Sequence, residues 1–218
     1  MPATLTAPDI RRVLLNAQVF KLNAPDHAAL MNLESIPEAV EKLFALLADR
    51  EVPFVLVGGL ALLQHVPGRN TEDVDLILAT SALPQIPEIE IKGGEGFFRL
   101  AEYAGLRVDL LLSDNPLFNL VSRSHSEARP ILGRQIACAT PAGLVLMKLY
   151  ALPSLYRQGD FNRVSLYEGD IANLLYQHGV ETGPLLQELR GHLLPSDHAE
   201  ITKITAEIVE RISRFRSR

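Results

Sequence analysis

Residues Pro53 to Leu78 constrain this chain more than any other stretch. Pro53-Phe54-Val55-Leu56-Val57 is a short β-branched and aromatic run that stops at Gly58-Gly59, and Leu60 to His65 continues with helical character. Pro67-Gly68-Arg69-Asn70 reads as a loop, after which Asp73-Val74-Asp75-Leu76-Ile77-Leu78 resumes as a strand. The order is strand, glycine turn, helix, strand. Side chains alternate along a strand, so Asp73 and Asp75 leave one face about 6.6 Å apart while Val74 turns to the opposite, apolar face. At an effective dielectric near 20, two unit charges at that spacing repel by roughly 2.5 kcal/mol. A cation between them removes the cost, and oxygen-only donors select a hard ion, Mg²⁺ or Mn²⁺. The alternative is a solvated strand end.

A third acid belongs to the same argument. Asp109 interrupts the apolar run Leu106-Arg107-Val108-Asp109-Leu110-Leu111-Leu112, where a lone carboxylate needs a partner or a metal to offset its desolvation. Gly58-Gly59 lets the backbone approach a ligand closely, and the helix that follows adds positive potential at its start. A bare Gly-Gly is more often only a tight turn. Placed about fifteen residues before an acid pair, it points to phosphates held beside a metal.

The remainder of the chain frames this segment with helices. Pro8-Asp9 starts one amphipathic stretch through Val19, and Ile36-Pro37-Glu38 starts another through Ala48, with Val40, Leu43, Phe44 and Leu47 at helical spacing. Strands are expected at Ile86 to Ile91 and Gly96 to Ala101, joined by Lys92-Gly93-Gly94-Glu95, and again at Leu106 to Leu112. From Pro141 the pattern is helical over Ala142 to Leu152, Tyr167 to His178, Pro184 to Leu193 and Asp197 to about Arg214, with breaks at Pro153, Gly179-Val180 and Pro195. The expected class is α+β (mixed α/β): a small mixed sheet in a core over residues 51–140, an N-terminal helical segment over 1–50 and a C-terminal helical region over 141–218.

Composition narrows the function. The 218 residues carry 21 Lys and Arg against 26 Asp and Glu, a formal charge of −5, which argues against a general polyanion binder. Local basic patches remain at Arg123, Arg129 and Arg134 and at Arg211, Arg214, Arg216 and Arg218. They are solvated faces or contacts to a nucleic-acid acceptor. Cys138, the single cysteine, lies in the apolar run Ile136-Ala137-Cys138-Ala139 and reads as a small buried side chain. No apolar stretch approaches the roughly 18 residues of a membrane helix, and no leader pattern opens the chain, so a cytoplasmic protein is expected. No His-Glu-x-x-His occurs, and Pro195 separates His192 from His198. Lys92-Gly93-Gly94-Glu95-Gly96 lacks the Gly-Lys-Ser/Thr ending of a phosphate loop and reads as a hairpin turn. Ser122, Ser124 and Ser126 around His125 form no nucleophile elbow.

Gly58-Gly59, then Arg69-x-Thr71-x-Asp73-x-Asp75-Leu76, then Asp109 in a later strand resemble the core of the DNA-polymerase-β-like nucleotidyltransferases. Thr140-Pro141-Ala142-Gly143-Leu144-Val145-Leu146-Met147-Lys148-Leu149-Tyr150-Ala151 resembles the Lys-bearing helix that follows the core in the abortive-infection toxin branch. Arg157 and Gly169-Asp170-Ile171-Ala172-Asn173-Leu174-Leu175 are similar to the Arg and the acid-bearing helix after it. The resemblance spans about residues 53–175. It implies a metal-dependent enzyme that moves a nucleoside monophosphate from an NTP to an acceptor hydroxyl on RNA, protein or a small molecule, and a toxin role that would add an antitoxin partner. Asp73 and Asp75 would hold the ion that bridges the triphosphate, Asp109 would be the third metal ligand and, with a second metal bound, would help position or deprotonate the acceptor hydroxyl, and Gly58, Gly59 and Lys148 would contact phosphates. Arg69, Thr71 and Asp170 complete the implied substrate site. Each has a plainer rival: Lys148 reaching solvent, Arg69 pairing with Glu72, Asp170 capping the helix that runs to His178. Leu60 stands where the family carries a small hydroxyl residue, and Asn173 where the toxin branch often carries a second acid. Those departures leave a second reading, an inactive module of the same fold that binds nucleotide or protein.

Overall fold

The computed structural model describes residues 36–67, 71 and 73–216. The expected helix at Pro8 to Val19, and Gly68, Arg69, Asn70 and Glu72, lie outside the described residues. In chain order the elements are α1 (Ile36–Asp49), β1 (Phe54–Val57), α2 (Gly58–Leu63), β2 (Asp73–Leu78), a 3₁₀ turn (Thr80–Gln85), β3 (Glu90–Gly93), β4 (Phe98–Tyr103), β5 (Leu106–Leu112), α3 (Pro116–Ser124), β6 (Ser126–Ile131), β7 (Arg134–Ala139), α4 (Pro141–Gln158), α5 (Phe161–His178), α6 (Thr182–Leu189) and α7 (Pro195–Arg216). The class is mixed α+β, with the seven strands in a single sheet of order β3-β4-β5-β2-β1-β7-β6.

Two parallel ladders give this sheet its character. β2 runs parallel to β5, and β1 parallel to β7, while β1–β2, β3–β4, β4–β5 and β6–β7 are antiparallel. Because β1 and β2 are antiparallel and in register, Leu56 faces Leu76 and Val57 faces Asp75. The pleat therefore sorts the central strands into two faces. Val74, Leu76, Val108, Leu110, Leu56 and Cys138 build the apolar face and are buried. Helix α1 covers that face with Val40, Leu43, Phe44 and Leu47, and Phe44 stacks on Phe54 at 5.7 Å between ring centroids. Asp73, Asp75, Arg107 and Asp109 stand on the other face, beneath α4 and α5.

Several boundaries differ from the sequence-based expectation, each for a local reason. The first hairpin forms at Glu90–Gly93 and Phe98–Tyr103 rather than starting at Ile86. Ile86 instead ends the 3₁₀ turn, where its buried side chain joins the core and its N–H bonds Leu83 O. Pro153 does not break α4. The helix runs through it to Gly159, whose positive φ of 69° caps the end, and Pro153 packs buried within the helical region. Asp170 is not a cap either, since it lies inside α5, which begins at Phe161 with the Asp160 carboxylate accepting from the Arg163 N–H.

Three elements were not anticipated. In α3, the Asn115 side chain accepts from the Leu117 and Phe118 N–H groups and Pro116 takes the first turn. The hairpin β6–β7 turns at Leu132-Gly133, both at positive φ, and its polar outer strand Ser126–Ile131 lies at the edge of the sheet. Among the described residues no helix is long and apolar enough to cross a membrane.

Candidate active site

The acid face of the sheet and the overlying helices enclose a pocket of about 470 Å³. Its floor is Val57, Gly58, Asp75, Asp109 and Leu111, and Phe98 reaches it from β4. Its roof comes largely from one stripe of α4: Leu144, Met147, Lys148, Ala151, Ser154, Leu155 and Gln158 recur at helical spacing, with Tyr150 beside them. Phe118 of α3 and Arg163 and Tyr167 of α5 close the sides.

The three acids sit where the strand pattern places them. Asp75 and Asp109 are direct neighbours in the parallel β2–β5 ladder, and Asp73 is two residues along β2 on the same face. Their surroundings differ. The Asp73 Oδ1 accepts from the Thr71 hydroxyl at 2.8 Å. Among the described residues, Asp75 receives only a long contact, 3.4 Å, from the Gly59 N–H to Oδ2. Asp109 is buried and gives both oxygens to the Arg107 guanidinium, Oδ1 at 3.0 Å from Nε and Oδ2 at 2.8 Å from Nη2. Burial first, and then the negative charges of Asp73 and Asp109, push the Asp75 carboxyl up to about 7, only partly opposed by the Gly59 N–H and Lys148.

The glycine turn is built around these acids. Gly58 has φ of +63°, and a Cβ there would fall 1.8 Å from the Asp75 Oδ2. A Cβ on Gly59 would fall 2.4 Å from the Thr71 Oγ1. Both glycines are therefore required by close packing against site side chains. Leu60, the next residue, is fully buried in the core and directs no polar group to the pocket.

Lys148 does not reach solvent. Its Nζ lies 2.8 Å from the Asp170 Oδ2 and 4.2 Å from the centre of the Tyr167 ring, and both charged side chains are buried. The structure thus brings together Asp73, Asp75, Asp109, Gly58, Gly59, Thr71, Lys148 and Asp170 around one pocket region, while Arg69 lies outside the described residues. Arg157 belongs elsewhere, paired with Asp197 at 2.9 Å on the exposed helical surface.

Sequence reasoning missed Arg107, Phe118, Met147, Tyr150 and Tyr167 as site residues. Arg107 was signalled by its spacing, two residues before Asp109 on the same strand face. The α4 stripe was readable as a helical period, but only the fold shows which side of that helix faces the sheet.

The fit of these residues to a hard divalent ion follows from donor chemistry. Among the described residues, no group of three or more His, Cys, Asp or Glu side chains is arranged to hold a metal ion. Mg²⁺ does not require such a cage, because it is commonly held by one or two carboxylates together with substrate phosphates and water. Asp73 and Asp75, all-oxygen donors on one strand face, match that requirement.

No family model and no curated protein sequence matches the chain. Solved structures do resemble it. An antigenic nucleotidyltransferase-like protein from Paracoccidioides brasiliensis aligns over 83% of this chain and 94% of its own, with 19% identity and a TM-score of 0.54. The antibiotic-resistance factor ANT(2″)-Ia, in complex with adenylyl-2″-tobramycin, aligns over 82% of this chain and 99% of its own, with 12% identity and a TM-score of 0.47. The chain has the fold of nucleotidyltransferase-like proteins.

Proposed function

We propose that the protein is a metal-dependent nucleotidyltransferase: an NTP and an acceptor hydroxyl give a nucleotidylated acceptor and pyrophosphate. The observation that carries this reading is the in-register pairing of Asp75 with Asp109, with Asp73 on the same face, on the floor of a pocket roofed by Lys148. Asp73 and Asp75 would hold Mg²⁺ or Mn²⁺, which when bound would neutralise phosphate charge. Thr71 positions Asp73 through its hydroxyl, and Gly58 and Gly59 keep the turn thin enough for triphosphate to lie beside Asp75. The Lys148 ammonium, held 2.8 Å from Asp170, would lend its positive charge to a phosphate oxygen. Asp109 accepts the proton of the acceptor hydroxyl as its oxygen attacks the α-phosphorus and the bond to pyrophosphate breaks. Phe118, Tyr150 and Tyr167 offer flat apolar surface to a base or to an aromatic acceptor.

The acceptor is RNA, a protein or a small molecule. The toxin reading, with an antitoxin partner, draws its support from the resemblance over Thr140–Ala151 and Gly169–Leu175, whose Lys148 and Asp170 meet in a buried pair. The test is incubation with each labelled NTP, Mg²⁺ or Mn²⁺, and bulk cellular RNA, protein and metabolites. Label transfer lost in both Asp73→Asn and Asp75→Asn is the expected result. Absence of transfer with every nucleotide and acceptor fraction sinks it.

A second reading, a nucleotide- or protein-binding module without chemistry, is favoured by one observation: Lys148 and Arg107, cations at the acid face, are both ion-paired within the protein. Nucleotide binding that ignores both divalent ions and the Asp75→Asn change is its signature.

A further inference from the structure

The row of side chains across the acid face changes chemistry at its far end. Asp75 of β2 is in register with Asp109 of β5, and Asp109 is in register with Leu100 of β4. Neighbouring strands lie about 4.8 Å apart, so Leu100 flanks Asp109 on the side away from Asp75 and the glycine turn. Leu100 is 37% exposed, and Phe98, two residues earlier on the same face, lines the pocket in register with Leu111. Helix α3, which starts just past β5, adds Phe118, whose ring meets that of Tyr150 on α4 edge to face at 6.1 Å between centroids. The two cations that line the pocket, Lys148 and Arg163, come instead from α4 and α5. Helix α5 is tied to the glycine-turn side, where His178 donates to the His65 carbonyl.

We propose that the corner formed by Phe98, Leu100, Leu111, Phe118 and Tyr150 is the acceptor subsite, and that the acceptor is a small uncharged alcohol with an aromatic body. The inference rests on the nucleotidyl-transfer reading above and names the substrate class within it. Anionic polyphosphate belongs at the glycine turn and the cations. In-line attack then brings the hydroxyl in from the opposite side of the α-phosphorus to the departing pyrophosphate, which is the β4 side of Asp109. The five side chains of that corner carry no charge. A polycationic aminosugar needs carboxylates beyond Asp75 and Asp109, and an RNA end needs cations for its phosphates. An aromatic ring instead buries apolar surface against Phe98 and Phe118, stacked or edge-on. In the transfer the alcohol oxygen bonds to the α-phosphorus, its proton passes to Asp109, and the bond from phosphorus to pyrophosphate breaks. The products are a nucleoside monophosphate ester of the alcohol and pyrophosphate.

The chain contains no tryptophan, so the emission of 2-naphthaleneethanol can be followed directly against the full-length protein. Anisotropy titration should show saturable binding of this alcohol to the wild type and about tenfold weaker binding to Phe98→Ala. With Mg²⁺ and each α-labelled NTP, label should pass to 2-naphthaleneethanol and 2-phenylethanol, and not to tobramycin, bulk RNA or bulk protein. Phe98→Ala should raise KM for the alcohol about tenfold and change kcat far less, whereas Asp75→Asn should abolish transfer. Label that reaches tobramycin, RNA or protein but neither alcohol overturns the acceptor assignment and leaves nucleotidyl transfer standing. Unchanged binding and turnover of the alcohols in Phe98→Ala overturns the subsite in the same way. Phe98-dependent binding of the alcohol with no label transfer to any acceptor overturns the nucleotidyl-transfer reading, and the acceptor role of the corner with it. Should Phe98→Ala fail to fold, Leu100→Asn, at a more exposed position, takes its place in both measurements.

Discussion

The ammonium of Lys148 on α4 and the carboxylate of Asp170 on α5 meet at 2.8 Å with side chains only 7% and 8% exposed. Breaking such a pair from one side leaves an uncompensated buried charge, at a cost of about 3–5 kcal/mol, whereas replacing both partners by apolar residues is often neutral. Lys148→Met and Asp170→Leu should each destabilise strongly, and Lys148→Met/Asp170→Leu should recover most of the loss in urea unfolding. Nucleotide binding should stay impaired in the double variant, because its fold is restored but the N–H donors of Lys148 are gone. Recovery of both stability and binding would assign Lys148 to structure alone.

Two glycines, one in the turn and one in a helix, give opposite expectations. Ala at position 58 must adopt a left-handed conformation that costs an L-residue roughly 1–2 kcal/mol, and its methyl group would collide with Asp75. Gly58→Ala should therefore lower the melting temperature and abolish nucleotidyl transfer together. Gly169 sits within α5, and a Cβ there meets nothing within 4 Å. Gly169→Ala should stabilise by about 0.5–1 kcal/mol, because it removes backbone entropy from the unfolded chain. Calorimetric melting of the two variants checks both signs.

How far the sequence revealed this site depends on the range of the interactions. The alternation in Asp73-Val74-Asp75 and the boundaries of β5 are local, set by neighbours two residues apart, and the structure repeats both. The link of Asp75 to Asp109 is a ladder between distant segments: the lone acid in an apolar run marks Asp109 as a candidate, but no local spacing specifies the register. The Lys148–Asp170 pair joins two helices, and no sequence spacing encodes it. The β6–β7 hairpin went unread because Ser126-Glu127-Ala128-Arg129-Pro130 is polar, as suits an edge strand with one neighbour. Its usable signal was Leu132-Gly133, a two-residue turn with both φ positive. Asn115-Pro116 marked the start of α3 by the same kind of local chemistry.

Cys138 pairs with Leu56 across the β1–β7 ladder and has no exposed surface. Burial pushes its thiol up to about 12, so almost none of it is thiolate near neutrality. A thiol reagent at neutral pH should leave the folded protein unlabelled and react with one equivalent after denaturation in urea. Rapid labelling of the native chain would mean that the β1–β7 seam opens far more readily than its packing implies.

His65 links the end of α2 to both β7 and α5. Its ring faces a carbonyl, which can only accept, so Nε2 carries the proton and donates to Ala139 O at 2.9 Å. The His178 Nε2 in turn donates to the His65 carbonyl at 2.9 Å, and the two rings meet edge to face. Burial lowers the His65 pKa below its ordinary 6.5. Arg129 and His178 add to that, and the Ala139 carbonyl and Glu127 oppose it. With the folded value depressed, the unfolded chain binds the proton more readily on the acid side of 6.5. Stability contributed by neutral His65 is thus complete above that value and is lost as the pH falls from 6.5 toward the folded pKa. His65→Gln keeps an N–H donor for Ala139 O but cannot titrate. Urea unfolding should show the wild type losing more stability than His65→Gln between about pH 6.5 and 5. Parallel curves for the two proteins over that range would place the acid sensitivity on another group.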